Sequence, residues 1–293
     1  MNILSIINKF FDRRILFLSF LLMSAFFMAY PSLKTLHYST NHSEYYSHIV
    51  LIPFVSIYLL YQKRKSILSK INYSFTAGLP LIIISCLLYF TGLRMKDQLS
   101  QNDFTSIIAL SSVVFISGAF ILIYGTQAFK SALFPFLFLI FIIPIPSSLL
   151  DGIIHFLQVG STEVTNMLLM ATDVPFLRDG FVFYLPGQSV EVAQQCSGIR
   201  SSIALFITAV LAGHLFLKSW WKKVILVACI FPIAMFKNGI RIASLTLLGV
   251  YIDPRILQSS LHRDGGIPFF VLALVLMAPI LYFLRKSEGK KKG

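Results

Sequence analysis

Three residues in the second half of the chain, Cys196, Arg241 and His262, carry side chains that acyl transfer from a peptide bond requires. Cys196 stands just before an apolar run, where the dipole and free amide groups of a helix N-terminus would favour its thiolate. Arg241 lies inside a later apolar run, where a charge is costly and therefore marks a functional candidate. His262 follows in the short stretch LHRDGG. The three residues would supply a nucleophile, a cation to stabilise an oxyanion, and an acid or base. They predict acyl transfer if the fold brings them to one place.

The same residues also have structural interpretations. Arg241 could be a snorkelling interfacial arginine, and a lone loop histidine such as His262 is more often solvated than catalytic. Arg200, one turn after Cys196, either adds positive charge near the thiol or pairs with a lipid phosphate or with Glu191. These alternatives stay open on the residues alone.

The residues next to these candidates could support them. Ser197 and Gly198 follow the cysteine directly. Asn238, one helical turn before the apolar-run arginine, could orient that arginine or the substrate, or only satisfy backbone groups near a kink. Cys86 and Cys229 lie in apolar surroundings and are predicted to behave as small hydrophobic residues.

Other catalytic or metal-binding patterns are weak or missing. The chain has no phosphate-binding glycine loop, no HExxH motif and no GxSxG motif. Its six histidines show no metal-ligand spacing. His37, His42 and His48 cluster near Glu44 without a further cysteine or carboxylate framework, which favours a structural role over a metal site. We therefore expect no metal and no cofactor.

Composition predicts that lipid is the main solvent of this chain. It has 293 residues, 56% of them apolar, and 28 Phe, more apolar surface than a water-soluble domain of this length would carry. The net charge of +13 comes from Lys and Arg clustered beside apolar runs, which indicates membrane topology and lipid partners and not a nucleic acid. The three cysteines imply no disulfide framework. The first apolar run lacks a small-residue cleavage site, so we expect a retained helix.

The apolar runs predict an all-α polytopic membrane protein with about eight transmembrane helices, since about 20 apolar residues are needed to cross the hydrocarbon layer. The predicted spans cover residues 14–34, 45–61, 75–93, 104–126, 129–149, 197–217, 223–251 and 266–284, the seventh broken by Pro232 and Gly239. Residues 151–172 are predicted to form an amphipathic helix, interfacial or re-entrant, outside the bilayer core. Residues 173–195 predict a small extracytoplasmic strand-like element, because apolar residues alternate there between Gly and Pro.

The predicted spans form one multi-pass domain over residues 1–293. It comprises an anchor helix and outer loop at 1–44, a core at 45–284 and a basic cytoplasmic tail at 285–293. With both termini in the cytoplasm, sixteen of the 25 Lys and Arg fall on cytoplasmic segments and nine elsewhere, in line with the positive-inside rule. This orientation puts the three candidate residues at the outer face. If residues 151–172 crossed the membrane, the orientation of every later segment would be reversed and the candidate residues would lie in the cytoplasm.

The blocks QQCSGIR, FKNGIRI and LHRDGG resemble the signature blocks of the exosortase/archaeosortase family of multi-pass membrane enzymes. FIIPIP, RDGFVFYLPGQSVEVAQQCSG and YYSHIVLIP are also similar to that family, so the resemblance covers residues 45–275 and the core at 45–284 is exosortase-like. It implies that Cys196 is the nucleophile, Arg241 the essential arginine and His262 the third position, with Arg263 as the adjacent alternative. Archaeal members have arginine at that position, so a histidine there implies a bacterial-type exosortase. Without a further domain after residue 293, it would be the short form.

The resemblance also implies a function. A cysteine protease or transpeptidase would cleave secreted proteins at a C-terminal sorting signal, made of a short PEP-type motif, one transmembrane helix and a basic cluster. It would act at the outer face of the bacterial inner membrane, and water or an amine acceptor would resolve the thioester. Asn238, Arg200, Ser197 and Gly198 would bind substrate or support the site. The alternatives are a multi-pass transporter, whose mid-membrane carboxylates and inverted repeats are not found, and a noncatalytic membrane component of polysaccharide export.

Overall fold

The structure, a computed structural model, describes residues 48–253 and 266–289 together with Ser19 and Met23. At Gln195, Cys196 and Ile267 it describes the backbone alone. The chain divides into two compact units, Met1–Ser147 and Ser148–Gly293. Several sequence predictions fall outside the described residues, namely the anchor helix at 14–34 apart from Ser19 and Met23, the residues His37, His42, His262 and Arg263, and the end of the basic tail at 290–293.

The first unit contains five α-helices among its described residues. They are α1 Leu51–Leu68, α2 Phe75–Arg94, α3 Gln101–Tyr124, α4 Thr126–Ser131 and α5 Leu133–Phe138, followed by a 3₁₀ turn at Leu139–Ile142. α3 begins where Ser100 Oγ accepts a hydrogen bond from the amide of Asp103 at 3.0 Å. α2 packs closely on α3 at Gly78, where an added Cβ would lie 2.6 Å from Leu122 Cβ.

The segment predicted as one span at 129–149 is not a continuous helix. It is divided among α4, α5 and the 3₁₀ turn. Pro135 has no amide proton, and its ring would collide with the carbonyl group four residues earlier, so α4 ends at Ser131. Pro144 and Pro146 then keep the backbone out of a helix until Ser147. Hydropathy correctly identifies this segment as apolar, but it does not predict the helix breaks that the prolines cause.

The second unit contains five further helices and a small sheet among its described residues, the first helix starting at the boundary residue. In chain order they are α6 Ser147–Met170, β1 Leu177–Asp179, β2 Val182–Leu185, β3 Gln188–Glu191, a 3₁₀ turn at Gln194–Ser197, α7 Ile199–Phe216, α8 Trp220–Ala228, α9 Ile230–Tyr251 and α10 Gly266–Gly289. The ring of Pro232 blocks the carbonyl group of Ala228, where α8 ends. α9 continues through Gly239, so the predicted break at that glycine is wrong.

The amphipathic helix predicted at 151–172 corresponds to α6. Its buried residues recur every three or four positions and are Leu150, Ile154, Leu157, Gln158, Ser161, Thr162, Thr165 and Leu169. The opposite face exposes Asp151, His155 and Glu163. Half of the buried stripe is polar, which requires hydrogen-bond partners inside the protein.

The strand-like element predicted at 173–195 is a three-stranded antiparallel sheet in the order β1–β2–β3. β2 and β3 are joined by a turn at Pro186 and Gly187, and Gly187 has a φ of 80°, as the second central position of a type II turn requires. The sheet packs on α6 and α9 through one buried cluster, which comprises Leu169, Val174, Phe183, Leu185, Val192, Ile242 and Ala243.

Five helices in the described part of the chain are long and apolar enough to cross a membrane. They are Phe75–Arg94, Gln101–Tyr124, Ile199–Phe216, Trp220–Tyr251 (α8 and α9 counted together as one span) and Pro268–Glu288. A sixth span results if Leu133–Ile142 and Ser147–Met170 cross as one interrupted span. The predicted class, an α-helical polytopic membrane protein, is confirmed, with five or six such spans in the described residues and not eight. The predicted span at 45–61 overlaps α1, which begins later, at Leu51, and continues past the basic residues 63–65 to Leu68.

Candidate active site

Cys196 lies in the turn that leads from the sheet into α7. The 3₁₀ turn Gln194–Ser197 is followed by Gly198, with φ 73° and ψ 18°, and α7 begins at Ile199. The carbonyl oxygen of Gly198 accepts hydrogen bonds from the amide of Ser202 at 3.0 Å and from its hydroxyl at 2.8 Å. Such a left-handed backbone suits glycine and strains other residues. The sequence CSG therefore places the cysteine two residues before a helix N-terminus.

Gly198 also contacts α9. An ideal Cβ built on Gly198 would lie 2.9 Å from Asn238 Oδ1 and 3.2 Å from Lys237 Nζ. The first distance is shorter than real Cβ atoms show, so any side chain at Gly198 would push the asparagine away. The blocks QQCSGIR and FKNGIRI, which are far apart in the sequence, are thus in direct contact.

Buried polar side chains of α6 fasten both sides of this contact. Asn238 is fully buried, and its Nδ2 donates a hydrogen bond to Ser161 Oγ at 3.1 Å. Gln158, also buried and one turn earlier on α6, donates from Nε2 to the carbonyl oxygen of Val192 at 2.6 Å. Val192 follows β3 and leads to the cysteine turn. One face of α6 therefore positions both α9 and the approach to Cys196.

The sheet is fastened to the same two helices by polar contacts. Arg178 on β1 forms a bidentate pair with Glu163 on α6, with nitrogen to oxygen distances of 3.1 and 2.7 Å. The hydrogen-bonded carboxylate raises the pKa of Arg178. Gln188 on β3 donates from Nε2 to the carbonyl oxygen of Thr246 on α9 at 2.9 Å. The strands that precede the cysteine turn are thereby held to α6 and α9.

α6 and α9 approach each other closely at two glycines. An added Cβ on Gly239 would lie 2.4 Å from Val164 Cγ1 and 3.2 Å from the amide nitrogen of Thr165. An added Cβ on Gly160 would lie 2.3 Å from the sulfur of Met235. The first glycine thus faces a stiff β-branched side chain and backbone, whereas the second faces a flexible side chain.

Replacing Gly239 with alanine is expected to lower the free energy of unfolding by about 1–3 kcal/mol, because overpacking at this crossing forces the two helices apart. Gly160→Ala is the matched control, because alanine gives both variants the same gain in helix propensity, about 1 kcal/mol. We expect the control to be neutral or stabilising, since Met235 can move. Thermal unfolding of the detergent-solubilised variants measures both effects, and equal stability of the two would contradict the tight crossing at Gly239.

Two arginines of the predicted site lie within four residues, along their own helices, of the residues that form the contact between the cysteine turn and α9. Arg241 is half-buried on α9, three residues after Asn238 and four after Lys237, so the three share one helix face. Arg200 is exposed at the second position of α7. Ser197 is only 1% exposed, and its Oγ has no hydrogen-bond partner among the described residues.

The structure thus brings together part of the predicted set of residues. Gly198 and Asn238 are in contact, and Ser197, next to Gly198 in the chain, is buried. For Cys196 only the backbone position is described, and His262 lies outside the described residues. The catalytic roles of Cys196, Arg241 and His262 remain predictions.

Four residues around the cysteine turn are missed by the sequence reasoning. They are Lys237, Ser201, Gln158 and Ser161. A lysine inside an apolar helix is a signal for the first of them. The polar positions on one face of the amphipathic segment are a signal for the two α6 residues. Neither signal identifies the partner across the fold.

The described part of the chain shows no group of three or more His, Cys, Asp or Glu side chains placed to hold a metal ion. Cys86 and Cys229 are half-buried free thiols. Both lie in apolar helical segments, away from the cysteine turn in the sequence.

Apolar spans combined with buried polar residues that converge on a helix N-terminus define a multi-pass membrane protein with a candidate site at helix ends. The model of the family described as transmembrane exosortase (EpsH) matches residues 39–279, and the chain belongs to that family. The matched segment includes the cysteine turn, α6 and α9. No curated protein and no solved structure matches the chain.

Proposed function

We propose that this exosortase is a cysteine peptidase or transpeptidase, with Cys196 as nucleophile. It cleaves exported proteins at a C-terminal sorting signal that consists of a short PEP-type motif, one transmembrane helix and a basic cluster. The observation that carries the proposal is the contact of the cysteine turn, through Gly198, with Lys237 and Asn238 on α9. A cysteine beside a helix N-terminus and a cation-bearing helix has the surroundings that favour a thiolate.

In the proposed reaction the thiolate of Cys196 attacks the carbonyl carbon of the scissile peptide bond. Arg241 stabilises the negative charge on the tetrahedral oxygen, and His262 donates a proton to the leaving amine as the C–N bond breaks. The product is a thioester on Cys196 and a released tail. Water or an amine acceptor then attacks the thioester and regenerates the thiol. Asn238 orients substrate or arginine, with Ser197, Gly198 and Arg200 as supporting residues.

The proposed location is the outer face of the bacterial inner membrane, with both termini in the cytoplasm. The excess of Lys and Arg on the segments assigned to the cytoplasm supports this orientation. The basic end of α10, with Arg285 and Lys286, and the basic start of α8, with Lys222 and Lys223, then lie on one side. Substrates with a single membrane helix and a basic end would insert in the same orientation and present their motif at the outer face.

Processing of a tagged reporter tests the proposal. The reporter carries the tail of a secreted protein from the same genome that ends in a PEP-like motif, an apolar helix and several arginines. Cells that produce this chain are expected to yield a shortened reporter, and mass spectrometry of its new C-terminus locates the cleaved bond. A reporter that lacks only the motif is the control. If the full-length reporter persists while the protein is inserted in the membrane, the proposed function is wrong for that class of tail.

A further inference from the structure

A buried lysine stands at the contact between the cysteine turn and α9. Lys237 is 2% exposed, and its Nζ donates a hydrogen bond to Ser201 Oγ in the first turn of α7. The same nitrogen is 3.2 Å from the Cβ position of Gly198, which is two residues after Cys196. Consecutive Cα atoms are about 3.8 Å apart, so the backbone of Cys196 lies within about 8 Å of that glycine. The ammonium group is therefore close to the turn that carries the cysteine.

No carboxylate neutralises Lys237 within the part of the chain that the structure describes. The one ion pair among the described residues joins Arg178 and Glu163. On its own helix, Lys237 has Arg241 as its neighbour one turn further on, which adds positive charge. Buried charges are normally paired, because an isolated ammonium group is costly to remove from water. An anion close to the ammonium group of Lys237 would balance this buried charge.

A second observation points to an anion at the same turn. Ser197 Oγ is buried, next to Cys196 in the chain, and has no acceptor for its proton among the described residues. An unused hydroxyl proton in such a place is costly unless a group with lone pairs faces it. The N-terminus of α7 also favours negative charge. A thiolate on Cys196 would satisfy all three features.

We propose that Lys237 is a positioning residue of the cysteine turn that keeps Cys196 in its thiolate form. This inference rests on the proposed function in taking Cys196 as the nucleophile. The other charged or titratable groups on the elements packed around the turn are Arg200 and His214 on α7, Arg241 and Tyr251 on α9, Glu191 on β3, Tyr184 on β2, Arg178 and Asp179 on β1, and Asp151, His155 and Glu163 on α6. Arg178 and Glu163 form an ion pair with each other. Lys237 is the buried cation of this group, so its charge is the least screened by water.

Lys237 also has a structural function, because its bond to Ser201 links α9 to α7. A merely structural lysine would affect folding but would not shift the titration of the thiol. The two roles are therefore separated by a measurement on the cysteine itself that requires no substrate.

The experiment follows alkylation of Cys196 by iodoacetamide between about pH 5 and about pH 10, a range that includes the ordinary thiol pKa of about 8.5. Cys86→Ala and Cys229→Ala are combined so that Cys196 is the single thiol. With Lys237 in place, the alkylation midpoint is expected at least about one pH unit below the ordinary value. In Lys237→Met it should rise by about one unit, and the rate at neutral pH should fall by roughly three- to eightfold. Lys237→Arg, which keeps the charge, should stay near the parent.

Lys222→Met is the matched control, because Lys222 is also a buried lysine in the second unit, 4% exposed and hydrogen-bonded to the carbonyl oxygen of Leu284 at 3.1 Å. It lies on α8, and its removal should leave the midpoint unchanged. Lys237→Gln, which keeps a hydrogen-bond donor toward Ser201, serves if the methionine variant does not fold. An ordinary midpoint with Lys237 in place, no alkylation across the range, or no shift in folded Lys237 variants would each overturn the inference. Reporter processing that survives loss of Cys196 would instead refute the proposed function and leave this titration interpretable.

Discussion

Replacing Cys196 with alanine is expected to abolish shortening of the sorting-signal reporter while the protein remains inserted in the membrane. Alanine is compatible with the 3₁₀ turn Gln194–Ser197 but has no nucleophile. Removing the nucleophile of a protease costs on the order of 10⁶-fold in rate, so no processed reporter should accumulate during cell growth. Immunoblots of the reporter at matched protein levels give the processed fraction.

Cysteine removal elsewhere provides the control for this result. Cys86→Ala and Cys229→Ala change half-buried thiols in apolar helical segments and should process the reporter as the parent does. Cys196→Ser should be nearly as inactive as the alanine variant, because a serine hydroxyl is not ionised at neutral pH and is a far weaker nucleophile than a thiolate. Normal processing by the Cys196→Ala protein would exclude the covalent mechanism.

Replacing Gly198 with alanine is expected to reduce processing by about 100-fold although Cys196 is retained. A left-handed backbone costs a non-glycine residue roughly 1–2 kcal/mol. The new Cβ would also stand 2.9 Å from Asn238 Oδ1, so either the cysteine turn or α9 has to move. Displacements of about 1 Å in a catalytic site can cost about 100-fold in rate. The processed fraction and the thermal unfolding midpoint are measured together.

Gly187→Ala separates the two causes of this loss. Gly187 has a φ of 80°, close to the 73° of Gly198, but an added Cβ at Gly187 has no atom within 4 Å. It should therefore lose similar backbone stability and keep nearly full processing. If both alanine variants lose processing equally, the contact between Gly198 and α9 has no special importance for the site.

Most of the helical architecture follows from hydropathy, because lipid selects long apolar runs. The spans predicted at 75–93, 104–126 and 197–217 agree with α2, α3 and α7 within a few residues. The alternation at 173–195 likewise predicts the sheet, since Phe183 and Leu185 are buried and Tyr184 is exposed. In each of these segments the spacing of the apolar residues fits only one type of secondary structure, either a helix or a strand.

The segments that hydropathy mispredicts are those where backbone chemistry determines the boundary. α1 starts at Leu51, with Pro53 in its first turn, and continues through the basic residues 63–65, which have good helix propensity. The side chain of Arg64 lies over the ring of Tyr61 at 3.9 Å, which favours helix beyond the apolar run. Hydropathy alone predicts none of these effects on the helix boundaries.

The candidate site is predicted only in part for a related reason. Cys196 and Arg241 are candidates because of their residue types, and the predicted membrane topology places both at the same face. The bonds of Gln158 to Val192 and of Asn238 to Ser161 depend on the rotation of α6 about its axis. Rotation about the axis follows from packing against several elements at once, which one segment of sequence does not encode.

The polar stripe of α6 has a consequence for how the protein is assembled. Ribosomes synthesise Gln158 and Ser161 well before Val192 and Asn238, their hydrogen-bond partners. Until those partners arrive, the amide and hydroxyl groups of α6 are expensive to place in hydrocarbon. We therefore expect the newly made helix to remain among lipid headgroups until α9 has been inserted, so that α6 takes its final place after a helix that is synthesised later.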